Sequence, residues 1–157
     1  ELIDGHIYYM APPSRKHQDI SVELSSVIKD YIRSHGGKGK VYAAPFAVHL
    51  DEKTDTYVEP DISVICDPDK LDDKGCKGAP DWIIEIVSPG SRQMDYYTKL
   101  FKYRTAGVRE YWIVDPTKNF ILVYDFEKNG SEQYTLQDSV KAGIYDDLTI
   151  DFGSMDI

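Results

Sequence analysis

The chain has 157 residues, of which 41% are hydrophobic and 29% are charged. This composition is typical of one globular domain with a sizeable core, and it excludes a disordered chain, a fibrous repeat and a membrane protein. The formal net charge of −9 argues against a general nucleic-acid coat, because such proteins use lysine and arginine to neutralise phosphates. We therefore predict a single domain over residues 1–157.

Cysteine content and the opening residues bear on the cellular compartment. Cys66 and Cys76 are too few for a disulfide scaffold or a four-cysteine zinc site. The opening sequence Glu1-Leu2-Ile3-Asp4 lacks the basic region that begins a secretory signal. We expect a reducing, cytoplasmic environment.

The N-terminal part predicts a hairpin and then a long helix. Apolar residues on both sides of Asp4-Gly5 predict a hairpin with an Asp-Gly turn. Ser14 is the predicted N-cap of a helix from Arg15 to about His35, which Gly36-Gly37 ends. Its apolar residues form a single stripe: Ile20, Leu24, Val27, Ile28 and Tyr31.

The remainder predicts strands around a second helix. The helix runs from about Arg92 to Ala106 and ends at Gly107. The predicted strands cover residues 41–50, 60–66, 81–87, 109–114 and 120–126, with a polar loop over 67–79 and short strand-like pieces near Tyr134 and Leu148. This order predicts an α/β or α+β fold in which helices flank a mixed central β-sheet.

Glu85 is the residue that the sequence singles out most clearly. It lies in the middle of Trp82-Ile83-Ile84-Glu85-Ile86-Val87, a strand that is otherwise apolar on both faces. A buried carboxylate without a partner is costly, so Glu85 must be paired, protonated or bound to a cation. The alternative is a glutamate at a strand end that faces solvent or a surface lysine.

Two aspartates, each following a proline at the start of a strand, are possible partners. Asp81 shares the strand of Glu85 but lies about 13 Å away at ~3.3 Å per residue, which favours a turn or cap role. Asp61 begins another strand, and neighbouring strands lie about 4.8 Å apart, so Asp61 and Glu85 can converge. A capping role after Pro60 is the alternative for Asp61.

Two carboxylates on adjacent strands form a hard-oxygen site. Mg²⁺ suits such a site because it keeps several waters and takes one or two carboxylates together with phosphate oxygens. The matching chemistry is phosphodiester hydrolysis, in which the metal orients water and stabilises negative charge. A nearby lysine would help to neutralise the phosphate.

The motif residues resemble those of known nucleases. Pro60-Asp61, the strand with Glu85 and a following lysine resemble the PD-(D/E)xK nuclease superfamily. Longer strings are similar to the Uma-two family of restriction-endonuclease-type proteins, and this similarity weakens only after about Phe126. The strings are Glu1-Leu2-Ile3-Asp4-Gly5, Met10-Ala11-Pro12-Pro13-Ser14 with His17, Tyr42-Ala43-Ala44-Pro45-Phe46, Pro60-Asp61-Ile62-Ser63, Gly78-Ala79-Pro80-Asp81, Glu85-Ile86-Val87-Ser88-Pro89 and Ala106-Gly107-Val108-Arg109-Glu110-Tyr111-Trp112-Ile113-Val114-Asp115-Pro116. The resemblance implies a restriction-endonuclease-like core with a site for Mg²⁺, or Mn²⁺.

The chain departs from the superfamily pattern at the lysine. The pattern places a lysine two residues after the acid, where this sequence has Val87. The Uma-type resemblance instead implies an Asp-x-x-x-Lys arrangement on the next helix, here Asp95 and Lys99, with Lys102 as the second candidate. An ordinary surface pair at positions i and i+4 is the alternative.

The resemblance also marks residues around this pair of acids. It places a histidine, His17, at the start of the first helix, where a cap or surface role is the alternative. It aligns Glu1 with an early glutamate of the family, and it implies that the Ile86 carbonyl completes a metal shell. The pairs Tyr96-Tyr97 and Tyr111-Trp112 could stack on bases, but at strand and helix spacing core or interface packing is favoured.

The sequence therefore predicts a Mg²⁺-dependent endonuclease acting on DNA, with no membrane association and with a homodimer as an option, since cutting two strands needs two sites. The predicted catalytic residues are Asp61, Glu85, Lys99 and His17, and the predicted metal ligands are Asp61, Glu85 and Ile86. One alternative is a nuclease-fold module with little or no turnover that binds DNA or a protein partner. A weaker one is a hydrolase of small phosphoesters.

Overall fold

Two six-stranded β-sheets form the body of the protein. A computed structural model describes residues 1–157. The strands are β1 (Leu2–Ile3), β2 (His6–Ile7), β3 (Lys40–Ala43), β4 (Val48–Asp51), β5 (Thr56–Val58), β6 (Ile62–Ile65), β7 (Leu71–Asp72), β8 (Gly75–Lys77), β9 (Trp82–Ile86), β10 (Glu110–Asp115), β11 (Phe120–Asp125), β12 (Gly130–Tyr134), β13 (Ser139–Lys141) and β14 (Thr149–Asp151). The α-helices are α1 (Arg15–Ser34) and α2 (Lys99–Ala106), with a π-turn at Met94–Thr98 and 3₁₀ turns at Pro68–Lys70 and Phe152–Ser154.

The central sheet has the strand order β12-β11-β10-β9-β6-β3. Strands β9 and β10 are parallel, whereas the other neighbours are antiparallel. The second sheet has the order β2-β1-β5-β4-β8-β7, and β13 pairs with β14. The mixed sheets confirm the predicted α+β class. No helix combines the length and the apolar character that crossing a membrane requires.

Strand β9 supplies side chains to two separate cores. Ile84 and Ile86 pack in the core that also buries the apolar stripe of α1. Ile83 and Val87 pack in the core that joins α2 to the second sheet. Because side chains alternate along a strand, Glu85 lies on the same face as Ile83 and Val87 and therefore points towards α2.

Helix α1 forms as its sequence predicts. The Ser14 hydroxyl accepts a hydrogen bond from the His17 N–H, which satisfies one of the free donors at the helix start. Ile20, Leu24 and Ile28 of the apolar stripe are buried in the core, and Val27 and Tyr31 are partly buried against it. The helix ends two residues before Gly36, whose φ is +63°. The capped start fixes the position of His17 relative to the sheet.

The second helix begins with a π-turn, which the sequence does not predict. Over Met94–Thr98 the backbone is wound more widely, and regular α geometry follows from Lys99 to Ala106. Gly107 ends the helix with φ +97°, a conformation that disfavours a side chain. Asp95 and Lys99 are both buried on the inner side of this segment.

Two predicted boundaries are wrong in the region before β9. The predicted strand 41–50 is two strands, β3 and β4, which belong to different sheets. The predicted polar loop 67–79 contains the β7–β8 hairpin, in which Cys76 is buried. Gly75 has φ +130°, and a Cβ there would lie 2.1 Å from the Ala47 carbonyl oxygen, so close packing between distant segments defines this hairpin.

Glu110 fastens the C-terminal segment to the central sheet. Its side chain is buried and accepts hydrogen bonds from Trp112 Nε1 at 2.6 Å, from the Gly143 N–H at 2.8 Å and from the Ile144 N–H at 2.8 Å. Burial raises the pKa of Glu110, although these donors oppose that rise. Protein donors therefore replace the water molecules that each carboxylate oxygen of Glu110 loses on burial.

We predict that Glu110→Gln destabilises the protein by about 2–4 kcal/mol, because an amide group would face donors that need an acceptor. Glu127 is the matched control, since its carboxylate pairs with Arg109 at the surface and Glu127→Gln should cost about 1 kcal/mol or less. Urea unfolding of both variants measures the difference. Equal losses for the two variants would contradict a structural role for Glu110.

Candidate active site

Asp61 and Glu85 lie side by side at the junction of β6 and β9. Antiparallel pairing sets Ile62 opposite Ile84, which brings Asp61 next to Glu85. The Asp61 N–H is 3.3 Å from Glu85 Oε2, and the Ile86 N–H donates to Asp61 Oδ2 at 2.7 Å. These crosswise contacts hold the two carboxyl groups on one face of the sheet.

His17 approaches this pair from the start of α1. Its Nε2 lies 3.1 Å from Asp61 Oδ1, and its Nδ1 lies 3.0 Å from Gln18 Oε1. Burial lowers the pKa of His17, but the hydrogen bond and the negative charge of Asp61 outweigh it, so the pKa is above its usual value. Asp61 therefore favours the protonated form of His17.

Lys99 reaches the same site from α2. Its side chain is only 4% exposed, and Nζ lies 2.9 Å from Glu85 Oε1, 3.0 Å from Glu1 Oε1 and 3.7 Å from Asp95 Oδ1. Burial lowers the pKa of Lys99, but the three carboxylates raise it by more than burial lowers it. The pKa of Lys99 therefore lies above the usual lysine value. These carboxylates therefore favour the ammonium form of Lys99.

Glu1 is held at the site by its own side chain. Oε1 accepts a hydrogen bond from the Glu59 N–H at 2.9 Å in addition to its contact with Lys99. The carboxylate is buried, so Glu1 is part of the polar group around Lys99. Pairing of β1 with β5 carries it there.

Tyr103 is a site residue that the sequence interpretation missed. Its hydroxyl donates to Glu85 Oε1 at 2.6 Å, and the residue is fully buried. Tyr103 lies four residues after Lys99, which in turn lies four residues after Asp95. The repeat of polar residues at this interval was the signal available in the sequence, since residues i and i+4 share a helix face.

Asp95 is buried with one oxygen unsatisfied. Ser91 Oγ donates to Asp95 Oδ2, whereas Oδ1 has no hydrogen-bond donor and lies 3.7 Å from the Lys99 ammonium. Burial raises the pKa of Asp95 to about 6, against the lowering effect of Lys99. Burial likewise raises the pKa of Glu85, and Asp61 adds to that rise while Lys99 opposes it.

Other polar residues considered from the sequence lie outside this group. Lys102 pairs with Asp4 of the N-terminal hairpin. Asp81 accepts a hydrogen bond from the Cys66 N–H at 2.7 Å and pairs with Arg109, which gives it a structural role. Tyr111 and Trp112 are buried in the two cores, whereas Tyr97 is exposed.

The buried group carries more negative than positive charge. The group holds four carboxylates and one ammonium. Glu1, Glu85 and Asp95 contact Lys99, whereas Asp61 lies beside Glu85 and contacts His17 at the edge. Such an excess is costly away from water, which matches the raised pKa values of Glu85 and Asp95. A divalent cation would relieve it.

The donor set fits a cation that takes few protein ligands. No three His, Cys, Asp or Glu side chains converge as a ready-made metal cage. Asp61 Oδ1 and Glu85 Oε2 each have one close contact, so each keeps a lone pair for a further partner. Two carboxylates with open positions are what Mg²⁺ uses, since it retains several waters.

Three comparisons with known proteins identify relatives. The model of the Uma2 family, described as "Putative restriction endonuclease", matches residues 1–147. An uncharacterized protein of Synechocystis sp. is 28% identical over 131 residues, which are 83% of this chain and 67% of that protein. The crystal structure of a "putative nuclease belonging to DUF820" from Anabaena variabilis matches with a TM-score of 0.74 and 23% identity, over 90% of this chain and 80% of that chain.

The structural match confirms the nuclease-like fold that the sequence resemblance implied. The family match runs from the first residue of the chain through nearly all of its elements, including every residue of the buried polar group. The chain therefore belongs to the Uma2 (Uma-two) family, whose description is that of putative restriction endonucleases.

Proposed function

We propose that this protein is a Mg²⁺-dependent endonuclease that hydrolyses phosphodiester bonds in DNA. The observation that carries the proposal is a buried lysine ammonium, Lys99, held 2.9 Å from Glu85 while Glu85 lies beside Asp61. An acid pair can hold the metal for phosphodiester hydrolysis, and an adjacent lysine can stabilise the charge that develops on the phosphate. Membership of the Uma2 family supports the same reaction class.

Asp61 and Glu85 would hold the cation. The Ile86 carbonyl remains a proposed third ligand, and the contact seen for Ile86 is that of its N–H with Asp61. Mg²⁺, or Mn²⁺, would neutralise phosphate charge and make a bound water more acidic. The protein's part is to fix the two carboxylates through the crosswise backbone contacts between β6 and β9.

Lys99 would act through its charge. Because its pKa lies above the usual lysine value, it stays protonated and does not serve as a general base. An ammonium fixed at this point can stabilise the negative charge that develops on the phosphate and can orient a water by hydrogen bonding. Its carboxylate neighbours hold it in place before substrate arrives.

Exposure indicates the side from which a phosphate would enter. The side chains of Asp61 and His17 are 15% and 10% exposed, whereas those of Glu85 and Lys99 are only 3% and 4% exposed. The phosphate would therefore meet Asp61 and His17 first. A protonated His17 would attract it and would keep Asp61 oriented through Oδ1.

A binding module with little turnover is the second candidate. This module would bind DNA or a protein partner, and the net charge of −9 favours the protein partner, because DNA binding needs local positive charge. A cleavage assay on linear, supercoiled and branched DNA with Mg²⁺, Mn²⁺ or EDTA separates the two. DNA binding without any cleavage in the presence of either metal would favour the module. Sedimentation of the same samples tests whether the protein is a homodimer.

We predict that Lys99→Ala lowers single-turnover cleavage at least about 100-fold, because the developing charge loses its ammonium partner. It should also lower stability by about 3–5 kcal/mol, since three buried carboxylates lose their counter-ion.

Lys102→Ala is the control, because Lys102 lies on the same helix but pairs with Asp4 at the surface. It should keep wild-type turnover and change the free energy of unfolding by about 1 kcal/mol or less. Full activity in Lys99→Ala, or inactivation by Lys102→Ala, would show that the catalytic lysine is assigned wrongly.

We predict that Glu85→Gln abolishes the rise in melting temperature that Mg²⁺ produces in the wild type, because one of two carboxylate ligands is lost. In EDTA the variant should be at least as stable as the wild type, since burial disfavours the charged form of Glu85. Melting curves with and without Mg²⁺ measure both effects.

Glu110→Gln provides the contrast for that experiment, because Glu110 is equally buried but already surrounded by donors. It should melt earlier yet keep the Mg²⁺ shift. A full Mg²⁺ shift in Glu85→Gln would place the ion elsewhere.

We predict that Asp95 makes an unfavourable contribution to the stability of the metal-free protein as the pH rises from about 4 to about 6. The folded pKa of about 6 exceeds the ordinary value of 3.8, so the folded state binds the proton more tightly and is favoured at the low-pH end of this window. Asp95→Asn stays neutral and removes this contribution, so the slope of the unfolding free energy against pH should shift towards greater stability at pH 6 than in the wild type, as urea unfolding across the window would show. The exposed change Asp73→Asn should leave the slope unchanged, and an equal slope in Asp95→Asn would contradict the assignment.

A further inference from the structure

The Tyr103 hydroxyl has a single polar partner, Glu85 Oε1, at 2.6 Å. The phenol ring cannot turn away freely, because it is fully buried and packs edge-on against Tyr111, with ring centroids 5.0 Å apart. Tyr111 is itself fixed by a hydrogen bond of 2.9 Å from its hydroxyl to the Asp95 carbonyl oxygen. The donor that Tyr103 offers to Glu85 is therefore fixed in direction.

The two oxygens of Glu85 have different surroundings. Oε1 accepts from both Tyr103 and Lys99, at 2.6 Å and 2.9 Å. Oε2 has only the Asp61 N–H, at 3.3 Å. The two strong donors on Oε1 fix the rotation of the Glu85 carboxylate. This rotation leaves Oε2, with its one weak donor, beside Asp61.

Lys99 alone would hold Glu85 less firmly. Its ammonium is divided among Glu85, Glu1 and Asp95, and it would gain a further partner when a phosphate arrives. Tyr103 has no second partner to divide its hydrogen bond. Burial and the charge of Glu85 also raise the pKa of Tyr103 well above its usual value, so the hydroxyl keeps its proton.

We propose that Tyr103 is a positioning residue, whose hydroxyl holds Glu85 Oε1 so that Oε2 is kept beside Asp61 as the ligand atom for a divalent cation. This inference rests on the proposed metal-dependent function and adds to it the residue that sets the orientation of the ligand. Groups that orient metal-ligating side chains typically change metal affinity about 10–100-fold when removed.

The test compares Tyr103→Phe with Tyr111→Phe in the full chain. Each variant removes one hydroxyl from a fully buried tyrosine in the same core, but only Tyr103 touches Glu85. Calorimetric titration with Mg²⁺ gives the dissociation constant, and cleavage at increasing Mg²⁺ gives the half-activating concentration. Circular dichroism and urea unfolding in EDTA show that both variants are folded.

We expect Tyr103→Phe to raise both Mg²⁺ constants about 10–100-fold, with much of the cleavage rate recovered at saturating Mg²⁺. Tyr111→Phe should stay within about twofold of the wild type in both. If the wild type binds Mg²⁺ and cleaves DNA, unchanged Mg²⁺ constants in Tyr103→Phe would overturn the inference. Equal rises of these constants in Tyr103→Phe and Tyr111→Phe would also overturn it. A wild type that binds no divalent cation would instead overturn the proposed function and this inference with it. Should Tyr103→Phe unfold, Tyr103→Leu and Tyr103→Met replace it, because they also offer Glu85 no donor. A Mg²⁺ constant of wild-type size in either folded variant would overturn the inference.

Discussion

The ammonium of Lys99, buried among three carboxylates, is the interaction on which the site depends. It draws together residues from three places in the chain: Glu1 before β1, Glu85 in β9, and Asp95 in the turn that precedes α2. A buried charge is tolerated only when its partners stay in reach, so these segments must keep their positions relative to one another. The pairing of β1 with β5 positions Glu1 near Lys99, and the π-turn contains Asp95.

The same group is energetically costly to the fold. Asp95 Oδ1 lacks a donor, and burial disfavours the charged forms of Asp95 and Glu85. A site selected only to stabilise the fold would have paired or removed these charges. Carboxylates kept close together at such a cost are typical of places that bind a cation, where the missing positive charge comes from outside the protein.

The sequence predicted the acids better than their surroundings, for physical reasons. Glu85 stood out because one carboxylate interrupts an apolar strand, and Asp61 followed from the spacing of neighbouring strands. The role of Lys99 came only from family resemblance, since spacing alone fits a surface pair. Tyr103 was missed because a tyrosine in a helix resembles an ordinary core residue. The break between β3 and β4, and the β7–β8 hairpin, depend on contacts between distant segments that no local pattern encodes.

Two buried glutamates in neighbouring strands show where sequence reasoning stops. Glu110 and Glu85 both lie in apolar strands paired in the same sheet, and burial raises the pKa of each. Glu110 accepts from Trp112 and two backbone N–H groups, which complete its hydrogen bonding. Glu85 accepts from the Lys99 ammonium and the Tyr103 hydroxyl on Oε1, but Oε2 has only the Asp61 N–H, at 3.3 Å. Burial alone therefore does not distinguish a structural acid from a functional one. The difference lies in whether the protein's own donors finish the coordination of the carboxylate, and those donors come from parts of the chain that only the fold brings together.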